Sequence, residues 1–270
     1  MYPFVCPVCR QPLVKKENTL RCGSGHSFDM ARQGYVNLLM SGKSSKKRHG
    51  DDKAMVQART EFLQGGWYAP LRDAVVQAAV SHAPDAKVLL DIGCGEGWYT
   101  CAVKEALPGC LGAGIDISRQ ALIAAAKRDK TLRLAVAGVN HLPVADQSVD
   151  ILLNIFAPCD DGEFLRVLRP GGIVIRAVPL QEHLMGLKRA VYDTPYLNKF
   201  TPYAPKGFVQ ETYSEVRYTI TLQDKRDIHN LFLMTPYYYK TSRADQEKLE
   251  KLDTLSTNLD FGVFVMRKKK

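Results

Sequence analysis

From residue 87 onward, short apolar runs alternate with segments of helical period: "KVLLDIG", a helix after Gly97, "LGAGIDIS", "RQALIAAAKR", "TLRLAVAG", "VDILLNIF", "DGEFLRVLRP", "GGIVIRAVP" and "EHLMGLKRAVY". Runs that are apolar throughout, rather than at every second position, belong to strands buried on both faces, so the pattern predicts a parallel sheet sandwiched between helices. Two helical stretches precede it, "AMVQARTEFLQ" and "YAPLRDAVVQAAV", split by Gly65 to Trp67, with Pro70 suited to a first helical turn. The tail changes style. "YSEVRYTITL" and "DFGVFVM" read as a strand pair added at the sheet edge, with "KRDIHNLFLMTPYYY" and the polar helix "RADQEKLEKL" between them. Upstream, "SGKSSKKRHGDDK" is polar and without period. The expected division is therefore a small module at 1–40, a basic linker at 41–53 and an α/β domain at 54–270.

The cysteines of the small module change the picture, since a metal site can hold such a segment without a large core. Three of the chain's seven lie before residue 23, as Cys-x2-Cys (Cys6, Cys9), a spacer of 12 residues, then Cys-x3-His (Cys22, His26). Two short knuckles, each offering a ligand pair, supply the four N or S donors that zinc takes in a tetrahedron, and such a closed site is structural. One structural Zn2+ on Cys6, Cys9, Cys22 and His26 is expected. The module's core is expected to be separate from that of the larger domain, so Cys9→Ser should unfold the module while leaving cofactor binding largely in place.

"DIGCGEGWYT" follows the first strand of the larger domain. Gly93, Gly95 and Gly97 let the backbone turn tightly and approach a ligand in front of a helix N-terminus, where open parallel sheets bind ligands. Asp116 closes the second strand, where a carboxylate can meet ribose hydroxyls. The spacing is not the dinucleotide G-x-G-x-x-G, since the third glycine comes one residue early and Trp98 follows it, leaving little room for a pyrophosphate. Lys plus Arg exceeds Asp plus Glu by 37 − 28 = 9, concentrated at 43–50 and 267–270, which favours an anionic partner. No apolar run is long enough to span a membrane and the start lacks a signal peptide's pattern, so a soluble, cytoplasmic protein is expected.

The order "VLLDIGCGEG", an acidic end to the second strand, "LPV" before "DQSVDILL", then "LRPGGIVI" resembles the class I S-adenosylmethionine-dependent methyltransferases over 87–179. That resemblance implies a doubly wound, mostly parallel seven-stranded sheet. It also implies that Asp91, Gly93, Gly95 and Gly97 line the methionine end of the cofactor while Asp116 holds the ribose. The acidic residue that many relatives carry for the adenine amine is Gly138 here, which leaves backbone groups or Asn140. With the Cys3His module, "GGWYAPLRDAV", "IFAPC" and "PLQEHLMGLK", nearly the whole chain resembles the RlmA family of 23S rRNA guanine-N1 methyltransferases. That likeness adds Tyr68, Trp98 and His183 as cofactor contacts, and implies a homodimer whose cleft, with the zinc module, grips an rRNA hairpin.

Guanine N1 carries a proton at neutral pH, so transfer there needs an acceptor for it. Asp160, Asp161 and His183 are candidates, although a carboxylate opening "DDGE" is also a natural helix cap. The target base must be unpaired, and Phe156, Trp67 or Trp98 could stack on it. Two rival readings remain. Cys159, after the fourth strand, could act as the nucleophile of a pyrimidine C5 methyltransferase, or the core could be a scaffold for RNA binding that has lost its activity.

Overall fold

The computed structural model describes residues 3–40 and 50–269, so most of the expected 41–53 linker lies outside the described residues. The N-terminal module is a three-stranded antiparallel sheet of β1 (Val14–Lys16), β2 (Thr19–Arg21) and β3 (Ser27–Asp29). β4 (Tyr35–Asn37) follows, then α1 (Lys53–Gln64) and α2 (Ala69–His82). The alternating region gives β5 (Val88–Ile92), α3 (Trp98–Ala106), β6 (Leu111–Asp116), α4 (Arg119–Arg128), β7 (Arg133–Val136), β8 (Val149–Ile155), α5 (Asp161–Val167), β9 (Leu168–Pro179) and α6 (Met185–Val191). The tail adds β10 (Phe208–Leu222), α7 (Lys225–Leu233), α8 (Arg243–Glu250) and β11 (Leu255–Lys268).

Across the large sheet the order is β10-β11-β9-β8-β5-β6-β7-β4. β11 is antiparallel to both its neighbours and the other pairs are parallel. β5 through β11 thus form the doubly wound, mostly parallel sheet of class I methyltransferases. The strand order turns at β5, which is flanked by β6 and β8, and this switch point is where such sheets bind ligands.

The sheet has eight strands rather than the expected seven, because β4 of the N-terminal segment pairs in parallel with β7, from Tyr35 beside Leu134 to Asn37 beside Val136. β7 would otherwise be an open edge, and one short strand covers its unpaired backbone groups. The two cores are not separate either. Helices α1 to α3 with α6 and α7 cover one sheet face through Phe62, Leu71, Trp98 and Phe232. On the other face no helix joins β7 to β8. The N-terminal module takes that place, with Phe4, Cys6, Leu13, Leu20 and Val36 sharing one core with Leu90, Ile92, Ala113 and Ile115. Val5 N–H donates to Pro143 O at 2.8 Å, and the Arg10 guanidinium to Leu142 O and Val144 O at 3.0 and 3.2 Å.

Phe4→Ala removes a ring that is 1% exposed at this junction. It is expected to destabilise the whole chain by about 3–5 kcal/mol. Denaturation followed by the fluorescence of Trp67 and Trp98, both outside the module, should register the full loss in one transition.

Candidate active site and metal centre

The module's two turns bring its donors together. Arg10 N–H bonds to Cys6 O at 2.8 Å with Arg10 at φ 63°, and Gly25 N–H bonds to Cys22 O at 3.1 Å, so each knuckle wraps around a ligand pair. The ligand atoms of Cys6, Cys9, Cys22 and His26 all lie within 4.8 Å of one another, with Cys9 Sγ 3.6 Å from Cys22 Sγ and the latter 3.3 Å from His26 Nδ1. Thiolates at tetrahedral zinc stand roughly 3.8 Å apart, so the set fits the ion and closes its coordination. The backbone N–H of Gln11 draws the Cys9 thiol down to about 6, toward the thiolate that a metal requires.

At the carboxyl ends of β5 and β6 the glycine loop carries Gly93, Gly95 and Gly97 at φ 75°, 55° and 77°. A Cβ on Gly93 would stand 2.5 Å from the Ala157 Cβ, so the loop backbone packs directly on that side chain at the β8 exit and has room only for glycine. Asp116 accepts from Gly95 N–H at 2.9 Å and Ser118 N–H at 2.7 Å, and burial raises its pKa. Asp91 is 2% exposed. Its Oδ2 accepts from the Thr100 hydroxyl at 2.5 Å, Oδ1 has no hydrogen-bond partner among the described residues, and burial pushes the carboxyl up to about 7. Buried Glu96 is raised by the same cause.

Arg59 of α1 reaches into this group. It pairs with Asp51, donates to Met234 O at 3.3 Å, and its charge also acts on Glu96 and Asp116. The Ser118 hydroxyl donates to Asp51 O at 2.6 Å, fastening the start of α1 over the end of β6. Neither Arg59 nor Asp51 was identifiable from the sequence, because an arginine on an amphipathic helix looks like part of its solvated face. Buried carboxylates that outnumber their cations, one with an idle oxygen, suit a ligand bearing ammonium, sulfonium and ribose hydroxyl groups. S-adenosylmethionine has all three, so the residues present fit it.

The other expected residues divide by position. Tyr68, His183, Phe156 and Phe261 form one aromatic group at the exits of β8 and β9, with Tyr68 centred 6.3 Å from His183, 6.4 Å from Phe156 and 5.1 Å from Phe261. His183 Nδ1 accepts the Asp260 N–H at 3.3 Å, and burial holds the ring neutral by lowering its pKa to about 3. Phe156 sits at φ 55°, a strained value for a residue with a side chain, and is 44% exposed. Trp98 is buried between Tyr99 and Arg72, and Trp67 stacks on Phe62. Asn140 is exposed just beyond β7. Asp160 caps α5 by accepting from Glu163 N–H at 3.1 Å, and Asp161 accepts the Tyr203 hydroxyl at 2.7 Å. Cys159 is exposed, its Sγ 2.8 Å from an Arg176 guanidinium nitrogen.

Asp91 yields a pH test. In the unfolded chain an aspartate ionises near pH 4, roughly, whereas folded Asp91 holds its proton to about 7. Across that interval the folded state binds more protons, so the stability of the cofactor-free protein falls as pH rises through it and levels off above. Asp91→Asn is expected to remove this part of the slope, a gain on the order of 3 kcal/mol in mildly alkaline solution, while weakening cofactor binding. Denaturation over a pH series measures the first and calorimetric titration the second. Cys9→Ser has consequences beyond the module, because its core is shared. It is expected to lower both the Tm of the whole chain and its affinity for S-adenosylmethionine, read by differential scanning and by titration.

Two family models match the chain: "RlmA, N-terminal" over residues 4–46 and "Methyltransferase domain" over residues 89–172. The chain is 41% identical to the 23S rRNA (guanine(748)-N(1))-methyltransferase of Streptomyces fradiae, over 69% of this chain and 66% of that protein. Two further relatives carry the name "Putative 23S rRNA (guanine-N(1)-)-methyltransferase". The one from Micromonospora griseorubida is 40% identical over 67% of each chain, and the one from Bacillus subtilis is 31% identical over 97% of this chain and 96% of its own. A zinc ribbon and a class I methyltransferase core in one polypeptide, with likeness running end to end, place the chain in the 23S rRNA (guanine-N1-)-methyltransferase family.

Proposed function

We propose that this protein transfers a methyl group from S-adenosylmethionine to N1 of a guanine in a hairpin of 23S rRNA, acting as a cytoplasmic homodimer. The observation that carries this reading is the union of a Cys3His knuckle pair with a glycine loop, backed by acidic strand ends, in a chain similar throughout to enzymes of that name. Residues 1–40 and 54–270 are its zinc-binding and methyltransferase units, joined through 41–53. Among the described residues no helix is long and apolar enough to cross a membrane.

When bound, the cofactor supplies a methyl group already activated on a sulfonium sulfur. The chain has to position, neutralise and keep water out. Gly93, Gly95 and Gly97 bring backbone close to the methionine end, with the idle Asp91 oxygen behind them. Asp116 offers its carboxylate to ribose hydroxyls, Asn140 is the side chain assigned to the adenine, and the buried Tyr68, Trp98 and His183 are the further cofactor contacts. The excess of nine positive charges supplies phosphate contacts. His183 does not take the N1 proton. With Nδ1 occupied as an acceptor the neutral ring carries its hydrogen on Nε2, which can then only donate.

The covalent rival rests on Cys159 beside Arg176. Guanine N1 has an in-plane lone pair once deprotonated and needs no covalent activation. Cys159→Ser is therefore expected to retain methyl transfer to unmodified large-subunit rRNA, within about threefold of the wild type. Reverse transcription should stop at one guanine, because N1 methylation blocks the pairing edge. Label without a stop would place the methyl elsewhere, and no label together with no cofactor binding would favour the scaffold.

A further inference from the structure

Methyl transfer to guanine N1 requires a proton acceptor. Asp160 caps α5, Asp161 accepts the Tyr203 hydroxyl and His183 Nδ1 accepts the Asp260 N–H, so each of these has a structural partner. A different carboxylate faces a cavity that the cofactor residues do not use. The cavity, about 540 Å³, lies between residues 180–182 after β9, residues 215–219 of β10 and residues 258–260 of β11. It meets the aromatic group through the backbone of Asp260, whose N–H donates to His183 Nδ1 at 3.3 Å. Phe261 and Tyr218, next along their strands, face the other side of the sheet, where Phe261 packs on Tyr68, Phe156 and His183 and the Tyr218 hydroxyl donates to Trp67 O at 2.8 Å.

The Asp260 side chain is 8% exposed. Its Oδ2 is 3.4 Å from the Glu182 N–H. Its Oδ1 is 2.8 Å from Arg217 Nε, yet no N–H is aimed at it and the atom has no hydrogen bond. Arg217 is 61% exposed and shared with Glu215, so it can swing aside. The rim is held firmly. Asn198 Nδ2 donates to Leu180 O and His183 O at 2.9 and 3.1 Å, and the buried Lys188 ammonium donates to Asn198 Oδ1 at 2.7 Å.

We propose that this cavity receives the target guanine turned out of its hairpin, and that Asp260 reads its N1–H and N2 amine and takes the N1 proton while Arg217 donates to O6. The proposal rests on the functional reading above and adds the pocket and the base. Guanine's pairing edge runs acceptor, donor, donor, and a carboxylate beside a guanidinium presents the complement. Adenine would set its own N1 lone pair against the carboxylate and be repelled. In the step itself the N1–H bond breaks, the proton passes to Asp260 Oδ1 and the electron pair stays on N1. That pair forms the new N–C bond as the methyl–sulfur bond breaks, its electrons remaining on sulfur. The freed lone pair lies in the ring plane along the former N1–H axis, so the protonated Asp260 withdraws toward the N2 amine before the methyl comes in on that axis. The charged and titratable groups around Asp260 are Arg217, Glu215 and Tyr213 on β10, and Glu182 and His183 on the connection to α6.

The test uses the full-length zinc-loaded protein with unmodified 23S rRNA hairpins carrying guanine or inosine at the target. Asp260→Asn should bind S-adenosylmethionine as the wild type does and slow single-turnover transfer about a hundredfold or more near neutrality. Its rate should recover as alkaline pH ionises guanine N1 in solution. The wild type should bind the guanine hairpin about tenfold more tightly than the inosine one, which lacks the N2 amine, and Asp260→Asn should lose that preference. Thr219→Phe, which fills the cavity from the edge strand, should abolish transfer and weaken hairpin binding with cofactor affinity kept. Wild-type rates for Asp260→Asn at every pH would overturn the proposal, as would a loss uniform in pH with the guanine preference intact. A wild type that binds cofactor but methylates no guanine N1 would instead sink the functional reading itself.

Discussion

A parallel sheet needs both faces out of water, and on the second face the chain supplies one short helix, α5, whose Phe164 and Val167 cover only part of it. Where β7 runs on to β8 there is no helix, so Leu90, Ile92, Ala113 and Ile115 depend on a cover from elsewhere. The N-terminal module provides it, and the dependence is mutual. Three strands of three residues each bury too little to stand alone, and a metal centre with four ligands pins them in a shape that fits the sheet. β4 continues this cover into the sheet plane as the last strand. The connection at residues 142–144, just past the expected adenine-side residue Asn140, hangs from Val5 and Arg10 on one side and from Glu163 and Arg166 on the other. Metal, fold and cofactor site are thereby one mechanical system.

The second constraint is electrostatic. Asp91, Glu96 and Asp116 are all raised by burial, and Arg59 is the guanidinium whose charge acts on both Glu96 and Asp116. Such a set is costly while empty and becomes favourable when a ligand brings positive charge and hydroxyl donors. Strain is placed beside it. Phe156 and Leu184, neither of them glycine, hold positive φ at the exits of β8 and β9, where backbone must turn away to leave room.

The alternating region was legible because its periods are strong: the apolar runs at 88–92, 111–116, 149–155 and 171–179 became adjacent strands, and the glycines at 93, 95 and 97 took the left-handed turns they were read for. The ligand spacings of Cys6, Cys9, Cys22 and His26 were equally readable, since knuckle geometry is local. What escaped the sequence was long-range. Nothing in "GYVNLL" announces a strand that will pair with residues a hundred positions later, and its three paired residues are too short for a period. Arg59 and Asp260 escaped for a related reason. Each is an ordinary polar residue at its own position and becomes part of a site only through partners brought from other elements.

The antiparallel run of β11 explains how a residue so near the C-terminus reaches the chemistry. In a parallel sheet only the carboxyl ends of strands line the site, but an antiparallel strand delivers its amino-terminal half to that same end. β11 therefore places Asp260 beside Leu180 and His183, and its partner β10 adds Arg217 in register with it. The residues proposed for the cofactor lie mainly between residues 68 and 140, while the cavity proposed for the base draws on the 180s and on the last hairpin. The two halves of the reaction are thus encoded in different stretches of chain. A methyltransferase likeness confined to 89–172 reports the cofactor half and is silent about the acceptor. Specificity can then diverge on β10 and β11 without disturbing the glycine loop, because the aromatic group of Tyr68, Phe156, His183 and Phe261 stands between them at the sheet's carboxyl end.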